Sequence, residues 1–106
     1  MASLEVARAV AVVGMRRQEF VRFRQMVSSH DWPVRLVYGG HISDGSNARR
    51  KAERAAAAAD FVLWNPNGAR KFGGGYISQF RYQRIRGVAS AMELLADWLT
   101  AGAFGS

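Results

Sequence analysis

Between Phe61 and Met92 the chain carries Arg70, Lys71, Arg81, Arg84 and Arg86 and not one acidic residue. Phe72, Tyr76, Phe80 and Tyr82 are interleaved with those cations. Guanidinium and ammonium groups neutralise phosphates and release their counterions, while an aromatic ring stacks on a base of any identity. The two together point to a nucleic acid, DNA or RNA, with Tyr76 or Tyr82 as the stacking residue. A second basic cluster, Arg49-Arg50-Lys51, can extend the same face. The plain alternatives are a solvated helix face for that cluster and a half-buried strand for the alternating aromatics. They explain the aromatics but not the missing acids.

A different chemistry is open to Gly40, His41, Ser43, Ser46 and Asn47, which precede a helix-forming run. Free N–H groups at a helix start, at the positive end of its dipole, suit a phosphate. This alternative is a nucleotide or phosphometabolite-binding domain, regulatory or enzymatic. His41 and Asp44 could serve as base and orienting acid for Ser43 or Ser46. Groups so close in sequence are more often turn and capping residues, so no catalytic residue is assigned and the reading stays non-enzymatic. A third alternative is an interaction module for an acidic protein.

Other chemistries are excluded. With no cysteine there is no disulfide framework, thiolate zinc site or cysteine nucleophile. His30 and His41 lie in different segments with no third ligand at a metal-binding spacing. Gly14 stands alone in the first turn, where a dinucleotide fingerprint needs three glycines. The glycines from Gly68 to Gly75 lack the Gly-Lys-Ser/Thr ending of a P-loop. No cofactor is implied.

The elements that must position these residues follow from periodicity. Val6 to Gly14 predicts a buried strand, Arg17 to Ser29 a helix burying Phe20, Phe23 and Val27, and Val34 to Tyr38 a second strand closed by Gly39-Gly40. Ala48 to Ala59 predicts a helix capped by Ser46 or Asn47, with a flat alanine face and Arg49, Arg50, Lys51 and Arg54 outside it. Asp60 to Trp64 is a third strand, ended by the turn signal Asn65-Pro66-Asn67-Gly68. The alternation from Tyr76 to Gln83 predicts a fourth strand. Reached only through the Ala69–Gly75 loop, it is expected to run antiparallel at an edge. Val88 to Thr100 forms a final helix on Val88, Met92, Leu95 and Leu99, and residues 101–106 read as a frayed tail.

The chain's 106 residues, 49% of them hydrophobic and 22% charged, fit one α/β domain. Its net charge of +7 favours an anionic partner. The apolar run from Ala9 to Met15 is far shorter than the ~20 residues of a membrane span, which makes a cytoplasmic location the expectation. An uncovered edge strand or an apolar strip on the last helix would favour a homodimer.

The succession Val10-Ala-Val-Val-Gly-Met15, Val37-Tyr-Gly-Gly40, Ala59-Asp-Phe-Val-Leu-Trp64 and Arg84-Ile-Arg-Gly-Val-Ala-Ser-Ala-Met-Glu-Leu-Leu95 resembles a bacterial family of small Rossmann-like domains of unknown function, over residues 10–99. The resemblance implies a fold. Where that family places a Ser-His pair after the third strand, this chain has Asn65-Pro66-Asn67, so no functional residue is carried over. The expected architecture is a Rossmann-like or flavodoxin-like sheet of about four mainly parallel strands with three helices. The expected function is non-enzymatic nucleic-acid binding through Arg49, Arg50, Lys51, Arg70, Lys71, Arg81, Arg84 and Arg86.

Overall fold

Valine and alanine alternate through Arg8–Val13, and this strand, β1, buries both sets of side chains. That requires cover on two faces. The computed structural model describes residues 8–41, 45, 47–69 and 82–100. Within them β1 is followed by α1 (Arg17–Ser29), β2 (Val34–Tyr38), α2 (Ala48–Ala57), β3 (Phe61–Trp64), α3 (Pro66–Ala69), β4 (Tyr82–Arg84) and α4 (Val88–Thr100).

On one face, Val10, Val12 and Leu63 pack against Phe20, Phe23 and Val27 of α1 and Ala91 and Leu95 of α4. On the other, Ala11, Val13 and Val62 meet Ala48, Ala52, Ala55 and Ala56 of α2. The alanine face lets α2 lie close to the sheet, so its long basic side chains are all directed outward. The result is a three-layer, small Rossmann-like α/β fold.

The strand order is β2-β1-β3-β4, and every pairing is parallel. The expected antiparallel edge is therefore corrected. β4 is described over Tyr82–Arg84, and the 17 residues of sequence from 65 to 81 separate it from Trp64. A parallel crossover needs about a dozen residues or more, and this stretch exceeds that. The shorter loop was inferred from alternation that begins at Tyr76, but residues 76–81 lie outside the described set.

The helix count is corrected too, from three to four. The turn expected at Asn65–Gly68 opens one turn of helix, with Pro66 in the first position, where its missing N–H costs nothing. Asn65 Oδ1 accepts the Asn67 N–H at 3.1 Å and so caps it. At the opposite edge of the sheet Asp60 fixes the β1–β3 register: its N–H donates to Ala9 O at 2.7 Å and its Oδ2 accepts the Ala9 N–H at 2.9 Å.

Candidate functional site

Because the strands are parallel, their carboxyl ends open on one edge, where ligands bind in open α/β sheets. The loops there are fastened together. Gly14 N–H donates to Gly40 O at 2.9 Å, Gly39 N–H to Val12 O at 2.7 Å, and Asn65 N–H to Val13 O at 2.8 Å. Gly14 and Gly40 hold φ of 91° and 89°, a region that suits glycine. A Cβ at Gly68 would overlap the Gly14 carbonyl oxygen and come within 2.8 Å of His41 Cδ2. At Gly68, then, the turn after β3 packs directly on the Gly14 carbonyl and beside the His41 ring. Of the alternative phosphate residues, Gly40 is buried, His41 is half-buried beside Gly68, and Asn47 precedes α2, its side chain making no capping bond. Ser43 and Ser46 lie outside the described residues.

Open space lies one element away, between α2 and edge strand β2. A groove of about 470 Å³ is lined by Val37, Tyr38, Asn47, Arg50, Lys51, Arg54, Ala55 and Ala58. Three of these carry positive charge and none carries negative charge. Arg50 and Arg54 make no ion pair among the described residues. Arg49, one residue away, turns instead to Glu53, its Nε 3.0 Å from Oε1. The basic run of α2 therefore divides: Arg50 and Lys51 face the groove, Arg54 joins them one turn on, and Arg49 is paired.

A fourth cation arrives from α1. The Arg17 guanidinium and the Lys51 ammonium each stand 5.1 Å from the centre of the Tyr38 ring. Phe20 packs on the same ring at 4.8 Å, and the Tyr38 hydroxyl oxygen is buried. Two helix starts thus bring cations to one aromatic residue at the end of β2. The first turn of α2 contains no acid. In α1, Glu19 Oε1 accepts the Arg16 N–H at 3.3 Å. Cations near the positive end of a helix dipole cost a few tenths of a kcal/mol, a cost that a bound anion reverses.

At the far edge, Tyr82, Gln83 and Arg84 are all exposed. Tyr82 meets the Trp64 ring edge-on at 5.7 Å, and the Arg84 guanidinium lies 5.8 Å from the centre of that ring. Trp64 packs against the α2-side core, so Tyr82 and Arg84 share the sheet face that α2 covers. Three strand spacings, roughly 14 Å, separate them from β2. Arg86 is exposed beyond β4. Arg70, Lys71, Tyr76 and Arg81 lie outside the described residues.

Arg54 and Arg17 were not among the residues chosen from sequence. The four-residue step from Arg50 was a visible signal for Arg54. Nothing local marks Arg17, because its place depends on β2 bringing Tyr38 between two helices.

Among the described residues no three His, Cys, Asp or Glu side chains gather as a metal site, and no helix is long and apolar enough to cross a membrane. The fold and groove define a small Rossmann-like α/β domain with a cationic cleft beside its first edge strand. No known protein family, curated protein or solved structure matches the chain.

Proposed function

We propose that this protein is a non-enzymatic nucleic-acid-binding domain that grips the sugar-phosphate backbone. The observation that carries this reading is the α2–β2 groove, where Arg50, Lys51 and Arg54 converge with no acid among the described lining residues. Arg17 adds a fourth cation at Tyr38. Arg84 and Arg86, with Tyr82 as a stacking surface, extend the contact across the sheet, and Arg70, Lys71, Tyr76 and Arg81 belong to the same stretch of sequence. A homodimer would double the phosphate contacts available to one strand.

The test is fluorescence anisotropy with labelled single-stranded and double-stranded DNA and RNA across a salt series. Affinity is expected to fall linearly with salt on logarithmic axes. Each of Arg50→Ala, Lys51→Ala and Arg54→Ala should reduce the slope by about 0.7 on single strands and about 0.9 on duplex. Arg49→Ala should change it less, since that charge is already paired. Absence of binding at low salt would end the proposal. Light scattering with and without the oligonucleotide tests the homodimer.

A further inference from the structure

The groove's chemistry suits phosphates much better than bases. Arg50, Lys51 and Arg54 present donors only. Reading a base edge takes acceptors as well. Among the described lining side chains only Asn47 and Tyr38 have any, and the Tyr38 hydroxyl is buried. Stacking needs a free aromatic face, yet the Tyr38 ring already packs against Phe20, Arg17 and Lys51. The rest of the lining is the aliphatic Val37, Ala55 and Ala58.

Spacing points the same way. Arg50 and Arg54 are separated by one helical turn, about 6 Å along the axis of α2, with Lys51 beside them. A ladder of positive charges along a helix suits a linear polyanion better than a single point anion.

We infer that this groove recognises a run of phosphates and nothing of what they carry, so that an inorganic phosphate chain occupies it as readily as a nucleic-acid strand does. The inference rests on the nucleic-acid reading above and narrows it: the shared ligand is a linear phosphate polymer, whether diester or anhydride.

The experiment uses the full chain with a labelled single-stranded oligonucleotide, displaced in turn by inorganic polyphosphate, by mononucleotide and by unlabelled oligonucleotides of different base composition. Once Tyr82→Leu has removed the exposed stacking ring outside the groove, polyphosphate should displace the label within about threefold of unlabelled oligonucleotide at equal phosphate concentration, and base composition should move affinity by less than about threefold. Mononucleotide should compete far more weakly. The Arg50→Ala, Lys51→Ala, Arg54→Ala variant should lose both polymers together, by about tenfold or more at low salt. A matched loss of charge elsewhere, Arg22→Ala, Arg24→Ala, Arg35→Ala, should leave both within about twofold, with circular dichroism confirming that both variants fold.

Oligonucleotide binding that polyphosphate does not displace would overturn the inference and leave the nucleic-acid reading standing. So would strong base dependence, or mononucleotide competing better than polyphosphate. Equal loss in the two triple variants would overturn the assignment to the groove. If neither polymer binds at low salt, both readings fall.

Discussion

Lys51 stands over the ring of Tyr38, its ammonium nitrogen 5.1 Å from the centroid, and so fastens the first turn of α2 to the last residue of β2. The contact gives the groove a fixed wall. It also makes one cation both part of the proposed binding surface and part of the scaffold.

Lys51→Ala should therefore lower stability as well as ligand affinity. At this partly exposed site the cation–π contact contributes about 0.5–1 kcal/mol. Urea denaturation should find a loss of that size. Arg50→Ala, which has no such ring contact, should leave stability within about 0.5 kcal/mol. Equal stability losses in the two variants would show that the ring contact is not responsible.

Gly68→Ala is expected to be among the most damaging small substitutions. Its added carbon meets the Gly14 carbonyl, a backbone group that cannot rotate away. Relief requires moving α3 or the β1–α1 loop, and overpacking of this kind costs about 1–3 kcal/mol. Thermal unfolding with a near-normal melting temperature would disprove the close packing.

Ser90→Ala should loosen the start of α4. Ser90 Oγ accepts the N–H groups of Arg86 at 2.7 Å and Gly87 at 3.2 Å, holding the turn between β4 and the helix. Losing such a cap costs about 1 kcal/mol, readable in denaturant unfolding, and hydrogen exchange should quicken at Arg86 and Gly87. Ser90→Thr should recover most of the loss.

Tyr82→Leu separates stacking from charge. It removes a ring 37% exposed and leaves every cation in place. Single-stranded affinity should fall by about 1–3 kcal/mol if bases stack there, with the salt slope unchanged. Polyphosphate affinity should not move. An effect on polyphosphate would mean that the substitution disturbs the protein and not the stacking.

The fold was legible wherever one periodicity dominated. Phe20, Phe23 and Val27 repeat at helical spacing and are the buried residues of α1, whereas of the α4 stripe Leu95 is buried and Val88, Met92 and Leu99 are partly buried against the same core. The direction of β4 was not legible, because alternation starting at Tyr76 made the preceding loop look too short for a crossover. α3 escaped because four residues are about one turn, too few to display a period. Gly40, His41 and Asn47 follow the carboxyl end of β2 as their sequence position implies, but the tight approach of Gly68 to Gly14 is a long-range contact that no local pattern encodes. The groove was half visible: Arg50 and Lys51 came from composition, whereas Arg17 needed the fold.

Both outer strands of the sheet carry an exposed arginine, Arg35 on β2 and Arg84 on β4. An unpaired strand invites another copy to continue the sheet, and charge on that strand discourages it. On the proposed reading, the charge that would draw a polyanion also discourages one copy from continuing another's sheet, and a high-salt buffer used to strip the ligand would relax that guard.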